Sequence, residues 1–439
     1  MNKKLNLFDL ISIGVGAIIG AGVFSMMGYG IAYTGRSITL ALMAAMLMVV
    51  LQSIRFPILA SVFDVEGGAY GLSSVTNPLV VAGLDATSDM FFKIGSGSVT
   101  TLALAEYFIV LFPALAPYKT ITAVILLTLA YVAVGIGDKF TARIQNIMAV
   151  LMYVALGLFI VFGIMNYTPA AYEGEPMFVG GISGFLMAAG LMSYTCNGFQ
   201  YVISMYKAAE NPKRDIPLGF YLSALIGVLF YVLIGFSATH SSSYGDIAGL
   251  NLGDISKMMM PNGLYLFFII GGAIFALGTS LVGGTASAYR PVQAACRDGW
   301  FPKILGEESK KGFPYILIVL YLMSLIPIIF NIDVDDVATM SLIPMGIIAI
   351  ISNMFAMNVP TQFSKEWKES GHKMSATMYK VLLWIGNIAS VVLVLFCFLS
   401  NDLKIPTTII TVAIMVYAVI RSKSDKIKIR AKDTYSSEQ

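Results

Sequence analysis

Residues 16–24 read GAIIGAGVF and residues 190–202 read GLMSYTCNGFQYV, and these two stretches decide how the chain folds. Each lies inside an apolar run long enough to cross a bilayer, about 20 residues, yet each carries residues that weaken a helix. Gly14, Gly16, Gly20 and Gly22 crowd the first, and the turn-like pair Asn197-Gly198 interrupts the second. Glycine costs a helix about 1 kcal/mol relative to alanine, and an Asn-Gly pair favours a turn. Spacing such as Gly16 to Gly20 also serves close helix packing, and the first stretch alone supports packing and interruption equally. The second stretch falls one five-span unit later and tips the balance. Interrupted helices at corresponding positions of two halves point to a transporter's binding site.

The rest of the chain agrees with a membrane setting. Of 439 residues, 57% are hydrophobic and 12% charged, with a mean hydropathy of +0.79. Soluble domains carry about twice that share of charge. Apolar runs predict an all-α membrane protein with twelve transmembrane helices. They cover about 8–34, 38–62, 79–112, 120–136, 144–167, 181–206, 218–239, 264–290, 314–330, 338–358, 379–400 and 404–421. Spans 1–5 and 6–10, about 8–167 and 181–358, form a 5+5 inverted repeat with spans 1 and 6 unwound. Spans 11 and 12 are appended, so residues 1–421 make one transmembrane domain and 422–439 a polar cytoplasmic tail. That tail reads as a solvated basic anchor at anionic headgroups.

With the N-terminus inside, 22 of the 28 Lys and Arg residues fall on the cytoplasmic side and four outside, with Arg55 and Lys93 inside spans. That bias sets the orientation, both termini cytoplasmic in a multi-pass cell-membrane protein. The basic start at Lys3 and Lys4 resembles a signal peptide, but the apolar run continues to Tyr33 and reads as a retained span. Cys196, Cys296 and Cys397 are scattered and odd in number, which gives no disulfide framework. His240 and His372 fall in predicted loops, and no metal-ligand spacing occurs. No cofactor is expected beyond sodium as a coupling ion. The partners implied are a small-molecule substrate and the lipid bilayer, with no nucleic acid and no partner subunit.

The breaks supply chemistry. Unwinding at Gly20-Ala21-Gly22 frees backbone N–H groups at a half-helix N-terminus, where they and the helix dipole hold a carboxylate without a buried arginine. Unwinding between Tyr194 and Gly198 frees carbonyls that accept from an ammonium. Together they make a socket for the two ends of an amino acid.

At these residues the chain resembles the amino acid–polyamine–organocation superfamily of permeases. GAIIGAGVF is close to that family's glycine-rich unwound segment, and EGGAYGL at 66–72 is similar to its Gly-Gly-x-Tyr loop. GFQYVISMYKAAENPKRDIPLGF at 198–220 and ASAYRPVQAACRDGWFPKI at 286–304 resemble its elements around spans 6 and 8. The resemblance implies the fold of the bacterial leucine transporter. It implies that Ala21, Gly22 and Val23 bind the substrate carboxylate and that Tyr194 is an aromatic gate. It further implies that Cys196, Asn197 and Phe199 line the pocket and that Ser96 contacts substrate. Arg214, Asp215, Arg290, Arg297 and Asp298 are expected to tie the inner ends of spans 6–8 by ion pairs.

The departures bear on coupling. Gln200 stands where the family has an acid, and Met152 where proton-coupled members carry lysine, so both titratable groups are gone. A sodium ion would then use span 1 carbonyls with Thr279 and Ser280 as candidate ligands. Asp85, Asp89 and Lys93 share one helix face at i, i+4 and i+8. The two aspartates are either solvated near the inner surface, or Arg55, Asp89 and Lys93 form a buried network, or Asp89 or Lys93 meets a substrate charge. Counting residues back from the connecting loop puts Arg55 level with Asp89.

The functional expectation is a secondary active transporter of amino acids, zwitterionic ones first, working by alternating access. Organic amines or polyamines are the alternative substrates. A membrane nutrient sensor and an intramembrane enzyme are the rivals from other classes, and no enzyme activity is expected.

Overall fold

A computed structural model describes residues 4–65, 67–136, 138–168, 175–310, 312–370 and 374–429. Lys3, Glu66 of the EGGAYGL loop, His372 and residues 430–439 of the polar tail lie outside the described residues. Among the described residues the structure is helical, with two isolated bridges, Leu5 to Ala209 and Glu308 to Pro314.

The N-terminal half opens with α1 (Leu7–Ile18) and α2 (Ala21–Thr34), which together fill predicted span 1. A capping box starts α1, with the Asp9 amide donating to Asn6 Oδ1 and the Asn6 amide to Asp9 Oδ2, both at 3.0 Å. There follow α3 (Ile38–Gln52), α4 (Arg55–Val62), α5 (Gly68–Thr76), the 33-residue α6 (Leu79–Leu111), α7 (Lys119–Ile136) and α8 (Asp138–Met165).

Next come α9 (Gly181–Thr195), a 3-10 segment (Phe199–Ala208) and α10 (Pro212–His240). Proline at the first position of α10 gives up an amide that has no partner there anyway. Short helices α11 (Tyr244–Ile247), α12 (Leu252–Met259) and α13 (Asn262–Phe267) lead through a π-helical stretch (Phe268–Ile274) into α14 (Phe275–Asp298). The chain ends with α15 (Ile316–Ile329), α16 (Val334–Ala356), the short α17 (Val359–Gln362) and α18 (Ser364–Glu369), α19 (Ala376–Ser400) and α20 (Lys404–Ser422).

Among the described residues, eight helical runs are long and apolar enough to cross a membrane, and shorter apolar helices fall in predicted spans 1, 5 and 9. Their outer faces are apolar too. On α20, Ile405, Ile409, Val412, Val416 and Ile420 are all exposed at i, i+4, i+7, i+11 and i+15, a stripe fit for lipid rather than water.

Predicted span 2 is not one helix, because α3 stops at Gln52 and α4 restarts at Arg55. Long α6 is the central pillar, packed against α14, α15, α16 and α20. Of the broken span 1, α2 touches it; α1 packs beside α10 and α2 beside α9.

Candidate functional site

The first break is Ile19-Gly20. The Ile19 amide still donates to Val15 O at 3.0 Å, and α2 then starts at Ala21 with no side chain capping it. The amides of Ala21, Gly22 and Val23 are thus the open donors of a helix N-terminus. The second break is Cys196–Gly198. Gly198 sits at φ 135, and a Cβ there would overlap the Ala17 carbonyl oxygen, so α1 ends directly on the break in span 6. Gly22 is equally close to Thr195, whose Cα would lie 2.6 Å from an added Cβ. Glycine at 22 therefore serves packing between α2 and α9.

Two side chains that sequence reasoning did not assign hold the breaks. Tyr231 of α10 places its buried hydroxyl 2.5 Å from Ile18 O and 3.0 Å from Thr195 O. One phenol thus serves the orphaned carbonyls at the ends of both α1 and α9. Gln200 accepts from the Gly198 amide at 2.8 Å and donates to Asn197 Oδ1 at 3.0 Å and Ser53 Oγ at 3.3 Å. Using donor and acceptor at once is what an amide does and an ionised carboxylate does not. That accounts physically for glutamine where the family carries an acid.

Between the breaks and α6 lies a cavity of about 1740 Å³. Gly22, Ser96, Tyr194, Asn197, Thr279 and Ser280 line it. Met152 lines it too, and the Tyr194 ring faces Phe92 at 6.1 Å between centroids. Three predicted residues turn away from it. Val23 is buried in the core, Cys196 Sγ points at Leu42 O at 3.9 Å, and Phe199 packs edge-on against Phe220 at 4.7 Å. The 3-10 winding that follows Gly198 aims Phe199 at α10 instead of the cavity. Ala21 stands at the first position of α2.

One end of the cavity reaches exposed Asp64, Lys207, Arg297 and Gly312. The other end is closed by aromatic packing. Tyr107 donates to Phe24 O at 3.0 Å and accepts from the Gly253 amide of α12 at 3.2 Å. Phe24 and Phe159 flank Phe268 at 5.8 and 5.1 Å. A run of apolar residues gives no signal for such a plug.

For a cation, Ser280 matters more than Thr279. Ser280 Oγ is buried without a hydrogen-bond partner, beside Gly20, whereas Thr279 Oγ1 donates to Ala276 O at 2.9 Å. Among the described residues no three His, Cys, Asp or Glu side chains gather to hold a metal.

The charged residues inside the helices pair differently from the expectation. Arg55 meets Asp85 at 3.3 Å, and Lys93 meets Asp89 at 3.2 Å, so the buried network of Arg55, Asp89 and Lys93 is two separate pairs. The depth count took span 2 as one continuous helix. The turn at Ser53-Ile54 and the extra helix α5 set Arg55 one turn nearer the start of α6. Asp85 is not solvated either, since it also accepts from Ser73 and from Ser352 at 2.7 Å.

At the exposed end, hydrogen bonds contribute to the tie expected from ion pairs. Arg297 Nε donates to Gly306 O at 2.8 Å and Tyr70 to Asp298 Oδ2 at 2.8 Å. The Arg214–Asp215 pair spans 3.8 Å with Arg214 73% exposed, a geometry that adds little. Burial first, and the Asp298 carboxylate second, push the Tyr70 phenol well above its ordinary value, which keeps it a donor.

A polytopic membrane protein with two broken helices meeting at a central cavity belongs to the architectural class of broken-helix carriers. The chain belongs to the amino acid permease family, whose profile matches residues 5–420. It is 25% identical over 338 residues to the branched-chain amino acid permease BcaP of Bacillus subtilis (strain 168), covering 72% of each chain. It is 27% identical over 331 residues to the vacuolar cationic amino acid transporter 4 of Arabidopsis thaliana, covering 70% of this chain and 55% of that one. The methylthioribose transporter of Bacillus subtilis (strain 168) is 24% identical over 327 residues, 70% of this chain and 69% of that one.

Proposed function

We propose that the protein is a secondary active transporter of zwitterionic amino acids working by alternating access. The observation that carries this reading is the meeting of the open α2 N-terminus at Ala21–Val23 with the carbonyl end of α9 at Thr195, beside one cavity. An N-terminal helix end favours an anion by about 0.3–1 kcal/mol, and up to about 2 when partly buried. Carbonyls at the facing end suit an ammonium. In this reading Ala21, Gly22 and Val23 bind the carboxylate by backbone, Tyr194 closes over the substrate, and Ser96 and Asn197 contact it.

The twelve-span layout with 5+5 inverted repeats belongs to the same proposal, as do cytoplasmic termini. The cavity then opens inward, on the side of Lys207 and Arg297, while the Tyr107 plug shuts the outside. Sodium is the proposed coupling ion, held by Ser280, Thr279 and carbonyls at the end of α1. The orphaned Ser280 hydroxyl supports it. Relatives named for branched-chain and cationic amino acids support the substrate class. Amines as substrates lose support because Asp89, their one proposed partner, is held by Lys93.

The test is uptake of labelled leucine into liposomes carrying the purified protein. Saturable uptake that rises with an inward sodium gradient is expected. Absence of uptake for every neutral amino acid tried would overturn the reading.

A further inference from the structure

Beside the main cavity lies a small chamber of about 20 Å³, room for one water molecule. Ser96, Thr100, Tyr201, Ser280 and Gly284 line both spaces, so the chamber is a recess in the wall of the cavity. Lys93 lines the recess and not the main cavity. Its side chain is 6% exposed, and its ammonium stands 5.4 Å from the centre of the Tyr201 ring.

Asp89, the counter-ion, does not offset this charge evenly. It lies one helical turn before Lys93, is 34% exposed, and lines neither space. Ser96 lies in the next turn after Lys93, on the cavity side. Along α6 the order is therefore carboxylate, ammonium, cavity wall. The carboxylate is a third exposed and stands farther from the cavity, whereas the ammonium is buried and acts through a medium of low dielectric. What the cavity meets at this wall is a positive charge.

We propose that Lys93 determines side-chain selectivity: it admits amino acids with neutral side chains and rejects those with cationic ones. This rests on the amino acid reading given above and specifies it. A fixed cation behind the wall that carries Ser96, the side chain proposed to contact substrate, raises the free energy of a second cation in the cavity and leaves an uncharged side chain untouched. The arrangement also explains why a lysine, costly inside a membrane, is kept at this depth with only one carboxylate beside it.

The test is competition against labelled leucine uptake in liposomes, using the full chain and its Lys93→Met and Lys93→Arg variants. Met keeps most of the length of the side chain, and the Asp89 it releases is a third exposed rather than buried; melting temperature checks that folding is preserved. In the unaltered protein, arginine and lysine should compete at least about tenfold more weakly than isoleucine. Lys93→Met should narrow that gap about tenfold while isoleucine competes as before, and Lys93→Arg should keep the gap. Arginine competing as well as isoleucine in the unaltered protein would overturn the inference. So would a gap unchanged in Lys93→Met, and either result leaves leucine transport standing. Absence of leucine uptake in the unaltered protein removes the amino acid reading itself and this inference with it.

Discussion

Arg55 Nη2 stands 3.3 Å from Asp85 Oδ1, with the two side chains 4% and 13% exposed. Arg55 Nη1 donates to Ala349 O at 3.1 Å and Asn353 Oδ1 at 3.0 Å, and Ser73 and Ser352 donate to Asp85 Oδ2. The pair joins α4, α6 and α16 through one set of hydrogen bonds. Breaking a buried pair from one side strands a charge and costs about 3–5 kcal/mol. Asp85→Asn should therefore lower the melting temperature sharply, whereas Lys93→Met, which frees only the partly exposed Asp89, should lower it little. Equal effects would show that burial is not what ranks the two pairs.

Tyr231→Phe removes one oxygen and leaves the Ile18 and Thr195 carbonyls without their donor. A buried group left unsatisfied costs about 1–3 kcal/mol. Expected are a loss of stability in that range and weaker leucine binding, read by melting with and without ligand. An unchanged melting curve would mean that the carbonyls find other donors.

Gly198→Ala places a Cβ at positive φ against the Ala17 carbonyl and should abolish folded protein in detergent. Gly157→Ala is the control. It sits in α8 with nothing within 4 Å of a new Cβ and should be neutral or stabilising by up to about 1 kcal/mol. Size-exclusion profiles of the two variants decide the matter. A monodisperse Gly198→Ala would remove the close approach of α1 and α9.

Much of this arrangement was legible in the residues and some was not. Gly20, Gly22 and Asn197-Gly198 marked both breaks because glycine and turn pairs act locally, through the backbone. Tyr231 and Tyr107 were invisible because their roles depend on which distant carbonyl they reach, and an aromatic in an apolar run looks the same anywhere. Arg55 was paired with the wrong aspartate for a related reason. Depth along two helices follows from counting only if neither helix is interrupted, and the count passed over Pro57, which has no amide to give to the Ser53 carbonyl four residues before it and so marks the turn at Ser53-Ile54.

Met152→Lys puts a built-in cation into the cavity wall that Thr279 and Ser280 share. If sodium drives uptake from that place, the variant should transport without sodium dependence and compete for no added ion. Retained sodium dependence would move the ion elsewhere. Residues 152 and 200 carry no titratable group, so the unaltered protein should show no pH dependence traceable to either position.

Tyr194→Ala should weaken retention of leucine by at least about tenfold, because an aromatic lid gives up both apolar contact and closure. An unchanged dissociation rate would shift the gate to Phe92 or Tyr201, the other rings on that wall.

In the proposed site, backbone amides at Ala21–Val23 hold a carboxylate while the carbonyl end of α9 holds an ammonium. Thermal stabilisation of the purified protein by leucine, leucinamide, isoamylamine and isocaproate tests it most directly. Leucine alone should raise the melting temperature, because each analogue lacks one of the two charges. Equal stabilisation by leucinamide or isoamylamine would show that the carboxylate is not recognised, and would contradict the account.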